Sequence, residues 1–138
     1  MVLHEYVVAS GIVGSVAKLA GSLGGRVKSF RVLVGELSML DVGMLRELLG
    51  ELSRDSLLSG ASISVEVERA VIRCDSCGAE MSFGEAVEGL KDEEKESIHF
   101  VPELISSFAR CRRCGAPDLR VVAGRGVKIV DVVVQGGE

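Results

Sequence analysis

Cys74-Asp75-Ser76-Cys77-Gly78 and Cys111-Arg112-Arg113-Cys114-Gly115 hold every cysteine of this chain. Each Cys-x-x-Cys pair is closed by a glycine, the residue that permits a tight turn with backbone amides aimed at the sulfurs. Two such turns supply four thiolates, the donor set of a closed tetrahedral zinc site: Cys74, Cys77, Cys111 and Cys114. Two disulfides would leave the repeated turn unexplained, and a thioredoxin-like redox pair needs one Cys-x-x-Cys at a strand-to-helix junction, not two matched copies. The expected role of the zinc is structural.

Outward from the cysteines, the composition marks a module. Residues 71–124 carry both pairs, a charge run from Lys91 to Glu96, and Pro102, with little helical or strand period of their own. Just before them Ser62–Glu68 alternates cleanly, with Ile63, Val65 and Val67 expected to face inward and Ser64, Glu66 and Glu68 outward. Just after them Gly124-Arg125-Gly126 leads into Val127, Ile129, Val130, Val132, Val133 and Val134, a β-branched run too apolar to stand alone. It is expected to rejoin the first sheet, so the metal module is an insertion.

The N-terminal half reads helix, strand, helix. Val8, Ile12, Val16 and Leu19 recur at helical spacing, with Gly11 and Gly14 marking close packing. Phe30, Val32 and Val34 alternate with Ser29, Arg31 and Leu33 as a strand ending at Gly35-Glu36. Asp41 then caps a helix whose buried stripe is Leu45, Leu48, Leu49 and Leu52. The expected class is α+β: a small helix-and-sheet domain of residues 1–70 plus 125–138, with a zinc-ribbon-like domain, 71–124, inserted in it.

The totals agree with a compact, water-soluble chain of 138 residues, 47% hydrophobic and 26% charged, with a net charge of −4. Only 4% of residues are aromatic, so the core is aliphatic and modest, and a metal cross-link in the weaker module makes physical sense. The acidic balance disfavours a non-specific nucleic-acid binder, which depends on Lys and Arg meeting phosphates. No stretch has the length of a membrane span. Tyr6–Ala17 is apolar, but His4 and Glu5 precede it instead of Lys or Arg, so a secretory signal is not expected and the cytoplasm is.

These pieces together resemble the HypA family of hydrogenase-maturation nickel chaperones. The matching residues are His4-Glu5-Tyr6 opening the first helix, Val34-Gly35-Glu36-Leu37 closing the first strand, the two Cys-x-x-Cys-Gly turns, and Gly124-Arg125-Gly126 before the last strand. Residues 78–110 between the pairs, including Ile98-His99-Phe100-Val101-Pro102-Glu103, look like the longer insertion of one branch of the family. The resemblance implies a metallochaperone, not an enzyme, that binds Ni(II) in its helix-and-sheet domain and keeps a structural Zn(II). It implies delivery to the large subunit of a [NiFe]-hydrogenase with a HypB-type GTPase, by a monomer or homodimer.

The resemblance also places nickel at the N-terminus, on nitrogens that include the histidine, here His4. Family members begin Met-His-Glu, whereas this chain has two further residues ahead of the motif. Square-planar Ni(II) wants amine, amide and imidazole nitrogens in fused small rings, and moving the amine by two residues breaks those rings. Initiation at the Leu3 codon would restore Met-His-Glu-Tyr; removal of Met1 would leave Val-Leu-His, itself a four-nitrogen chelate; or His4 works with side-chain ligands. His4 alone would also be read as a helix-start residue. Glu5, an oxygen donor, is expected to orient the site or meet the helix N-terminus. His99 is either a surface residue in a polar linker or, as the long insertion implies, a mobile ligand that completes the nickel shell.

The competing reading is a zinc-ribbon module docking on nucleic acid or a transcription complex, against which the acidic charge and scarce aromatics weigh. A catalytic reading lacks both an open zinc position and a Ser-His-Asp constellation.

Overall fold

A computed structural model describes residues 2–136. Its contacts group the chain into two compact units, each described by itself. The first comprises the chain up to Val34, Leu40–Glu66, and everything from Val127 on; the second comprises Gly35–Met39 and Val67–Gly126.

In the first unit, α1 (Val2–Ser22) is followed by β1 (Gly25–Gly35), α2 (Val42–Ser53), β2 (Ser62–Glu68) and the terminal strand β6 (Val127–Gly136), and the sheet order is β2-β1-β6. The late β-branched run does return to the first sheet, antiparallel to β1, with Val34 opposite Val127 and Val27 opposite Val134. The register slips near Asp131, where a non-glycine φ of 54° marks a bulge. Arg31 ties the three strands there, donating to Glu66 of β2 at 2.9 Å and to Asp131 of β6 at 2.6 Å. The Arg31 hydrogen bonds and charge hold the Glu66 carboxyl down at about 2.

The buried stripe of α1 is Glu5, Ala9, Ile12, Val13, Val16 and Ala20. Leu19, expected in it, is 44% exposed because the helical step places Ala20 in the core instead. Gly11 and Gly14 are exposed with nothing within 4 Å of a would-be Cβ, so they do not mark close packing within the chain. Asp41 caps α2 as expected, its carboxylate accepting from the Met44 N–H at 3.0 Å, and Leu45 and Leu49 are fully buried. Val67 departs from the inward set of β2 and is 56% exposed.

The second unit contains β3 (Val71–Cys74), β4 (Glu80–Ser82), α3 (Phe83–Val87), α4 (Asp92–Phe100), a 3-10 turn (Pro102–Leu104), α5 (Ile105–Phe108) and β5 (Leu119–Ala123), with sheet order β4-β3-β5. The expectation of a segment with little helical or strand order is corrected here, and the elements enclose an apolar core of their own. Ile72, Ile98 and Ile105 are fully buried among Leu37, Phe83, Val87, Leu119 and the cysteines Cys74 and Cys111. All of these elements but α4 run three to five residues, too short to display a period, and α4 has a single buried residue, Ile98, which hid them from the sequence. The charge run opens α4, with Asp92, Glu93 and Glu94 at the positive end of the helix dipole.

Backbone pairing at the root of this unit explains two of the motifs. Glu36 N–H donates to Glu68 O at 2.8 Å, Leu37 N–H to Gly124 O at 2.8 Å, and Gly35 N–H to Gly126 O at 2.7 Å. The Glu36 and Glu68 carboxylates accept in turn from the N–H groups of Ala70 and Gly124. Val-Gly-Glu-Leu and Gly-Arg-Gly are therefore the two halves of one knot.

Candidate metal centres

The four cysteines converge. Their sulfurs all lie within 4.8 Å of one another, with Cys74–Cys114 and Cys77–Cys111 each 3.6 Å apart. A tetrahedral site with Zn–S near ~2.3 Å has S···S edges of ~3.8 Å, so the cluster fits zinc.

Both turns are built alike. In the first, Cys74 N–H donates to Ala79 O at 2.9 Å and Gly78 N–H to Cys74 O at 2.8 Å; in the second, Cys111 N–H donates to Ala116 O at 2.8 Å and Gly115 N–H to Cys111 O at 2.9 Å. Gly78 and Gly115 sit at φ 79° and 77°, a left-handed conformation that glycine adopts without cost. In the second turn the Cys114 and Arg113 N–H groups point at the Cys111 sulfur, 3.5 and 3.3 Å away, and favour its thiolate. They bring its pKa down to about 6. Cys114 behaves oppositely: the Ala116 amide favours its thiolate, but the neighbouring sulfurs outweigh that and push it up to about 12. Four thiolates this close need a divalent cation among them, which is the chemistry zinc supplies.

Outside the sulfurs, the first turn is braced by its intervening residues. Arg120 grips the Asp75 carboxylate with Nε at 3.2 Å and Nη2 at 3.1 Å, and Ser76 donates to Asp118.

The second candidate centre is the start of α1. His4 lies exposed on the first turn, while Glu5, one helical step away, is only 3% exposed. Glu5 Oε2 accepts from the Asp41 N–H at 2.8 Å, and that bond holds its carboxyl below the usual range despite burial pushing the other way. Its other oxygen, Oε1, is buried without a hydrogen-bond partner among the described residues. A buried, charged carboxylate with one open oxygen is a strong acceptor waiting for a proton-bearing neighbour or a cation. The first turn of a helix also leaves N–H groups without intrahelical carbonyls, the groups a nickel site of amide nitrogens requires. The Met1 amine lies outside the described residues.

Glu5 was expected to orient the site or to meet the N-terminus of the helix it opens; the carboxylate instead meets the start of α2. The structure supplies Asp41, the residue that caps α2, and the 36-residue separation left no local signal for that pairing. His99 is not in a linker: it occupies the last turn of α4, half-buried, with its ring centroid 5.1 Å from that of Phe83 and the planes at 59°.

The comparisons run along nearly the whole chain. Residues 3–134 match the family profile described as HypA, hydrogenase/urease nickel incorporation, metallochaperone. The hydrogenase maturation factor HypA of Pyrococcus horikoshii is 36% identical over 134 residues, 96% of each chain. That of Thermococcus kodakarensis is 34% identical, again over 96% of each. The solution structure of the Ni metallochaperone HypA from Helicobacter pylori superposes with a TM-score of 0.60 at 15% identity, covering 96% of this chain and 98% of that one, a likeness of fold.

Proposed function

The chain belongs to the HypA family of nickel-incorporation metallochaperones, and from that premise we propose how it carries its cargo: Ni(II) is taken up at the start of α1 and delivered to the large subunit of a [NiFe]-hydrogenase. The carrying observation is the first turn of α1, where an exposed imidazole stands beside a buried carboxylate whose Oε1 has no partner among the described residues. His4 supplies the imidazole nitrogen, backbone and amine nitrogens of the N-terminal segment supply the rest, and Glu5 orients the site. His99 is the further ligand whose arrival or departure distinguishes a holding state from a releasing one.

Each part has a chemical reason. Amide and imidazole nitrogens must lose protons to bind Ni(II), so binding weakens in acid. Cys74, Cys77, Cys111 and Cys114 hold a zinc that folds the second unit and, with its shell closed, has no position for substrate. The protein therefore binds and passes on a metal without turnover, in the cytoplasm, with a HypB-type GTPase as its partner. The competing reading, a zinc ribbon docking on nucleic acid, finds no support: the family match spans both units and the chain is acidic.

The test is equilibrium dialysis of Ni(II) against the full-length protein, a variant shortened so that methionine precedes His4, and His4→Ala, with zinc counted in parallel. The shortened protein is expected to bind with a diamagnetic, square-planar spectrum, the full-length protein with Met1 retained more weakly, and His4→Ala not at all, with zinc unchanged in each. Equal nickel binding by all three would dispose of the N-terminal site.

A further inference from the structure

His99 is held by a chain of contacts that starts in the second cysteine turn. α3, on which Phe83 is the first residue, has five residues, too few to persist on its own hydrogen bonds. It is held at both ends. At its start, Ser82 and Glu85 form a reciprocal capping box, with bonds of 3.0 and 3.1 Å. At its end the helix's own closing bond, Glu88 N–H to Glu85 O, is a long 3.4 Å. Arg112, between Cys111 and Cys114, makes good that weakness: Nε donates to Glu85 O and Nη2 to Glu88 O, both at 2.9 Å. The planar guanidinium holds its Nε and Nη2 donors in one rigid fork, a pre-organisation that a flexible Lys ammonium lacks.

Phe83 is 6% exposed in the core of the unit, and its ring is the aromatic contact of His99. The path is thus contiguous: cysteine turn, Arg112, the α3 carbonyls, Phe83, His99. Of these residues only His99, at the end of the path, is assigned to nickel; the others act through it.

We propose that Arg112 is a positioning residue for His99: the folded cysteine turn fixes the guanidinium, the guanidinium fixes α3, and Phe83 keeps the imidazole in a withheld position. The imidazole leaves Phe83 when it donates a nitrogen to nickel. The functional half of this rests on the assignment of His99 to the nickel shell made above. A contact between rings shifts such an equilibrium by about two- to tenfold, so loosening it tightens nickel binding by that factor.

The experiment uses the full-length, zinc-loaded protein. Arg112→Met keeps the packing stem and removes the donors; Arg112→Lys keeps the charge but not the fork. Both are expected to retain zinc at the wild-type level. Cross-relaxation between the Phe83 and His99 ring protons should weaken in Arg112→Lys and vanish in Arg112→Met, and Arg112→Met and Phe83→Leu should each bind Ni(II) about two- to tenfold more tightly. Retained zinc with wild-type cross-relaxation in Arg112→Met overturns the proposal. If Arg112→Met loses zinc, Arg112→Lys decides by the same two readouts, and zinc loss in both also overturns it, because Arg112 would then serve the turn and not His99. His99→Ala separates the two levels. Unchanged nickel affinity there defeats the ligand assignment while the cross-relaxation result stands; weakened affinity there, with Arg112→Met and Phe83→Leu unchanged, defeats the withheld position.

Discussion

Gly124→Ala should damage the second unit severely, and Gly126→Ala, two residues along in the same motif, should not. Gly124 has φ +81°, and a Cβ there would lie 2.5 Å from Ala70 N and 2.8 Å from Arg69 C, both backbone atoms. Neither side has room to yield. Gly124 N–H is tied to Glu68 Oε1, Gly124 O accepts from Leu37 N–H, and Ala70 N–H is tied to Glu36 Oε1. The left-handed backbone costs a side chain ~1–2 kcal/mol, and forcing the overlap apart adds ~1–3 kcal/mol. Together these reach roughly 2–5 kcal/mol, a large share of the ~5–15 kcal/mol that holds a typical domain. At Gly126 no atom comes within 4 Å of a would-be Cβ, and φ is not positive. Alanine there changes stability by less than ~1 kcal/mol and mildly favours folding through the unfolded chain. The assay is urea unfolding at fixed total zinc, followed by zinc release to a chromophoric chelator, which reports the second unit alone. With a urea slope of ~1–3 kcal/mol/M the Gly124→Ala midpoint should fall by roughly 1–5 M. Equal shifts in the two variants would refute the account of the knot at the root of this unit.

Cys74→Ala or Cys111→Ala should abolish zinc binding and unfold the second unit while the first survives, read as zinc per chain and as amide exchange confined to residues 67–126. Asp41→Ala should cost ~1 kcal/mol from the lost α2 cap. It should leave Glu5 buried, because the Asp41 bond to Glu5 comes from the backbone; a Glu5 carbonyl that becomes solvated in NMR would contradict this. Glu66, at about 2 in the folded chain, lies below the usual ~4.3 of an unfolded Glu, so its pairing with Arg31 stabilises above that value and is lost as pH falls toward 2. The stability gap between wild type and Arg31→Met, followed on first-unit resonances, should therefore narrow between pH 5 and pH 2; a gap that widens in acid would have the wrong sign.

Periodicity alone was enough for the helices and strands long enough to repeat: α2 with its Asp41 cap, β2 to the residue, and the return of β6 to β1. Motif spacing, not period, announced that the four cysteines would converge, because two Cys-x-x-Cys-Gly turns carry their geometry within five residues each. Tertiary structure decided the rest. Whether Leu19 or Ala20 enters the core depends on the rotation of α1, which a helix with small and apolar residues on most sides does not announce. The small core around Ile72, Ile98 and Ile105 is assembled mostly from elements shorter than any period, and α4, which contributes Ile98, buries that one residue among charged neighbours. Glu5 finds Asp41 and Arg112 finds the α3 carbonyls through side chain-to-backbone bonds, and a backbone acceptor has no letter in the sequence. His99 reads as a polar residue after a charge run until α4 turns it onto Phe83; the sequence determines which groups are present, and packing determines which of them meet.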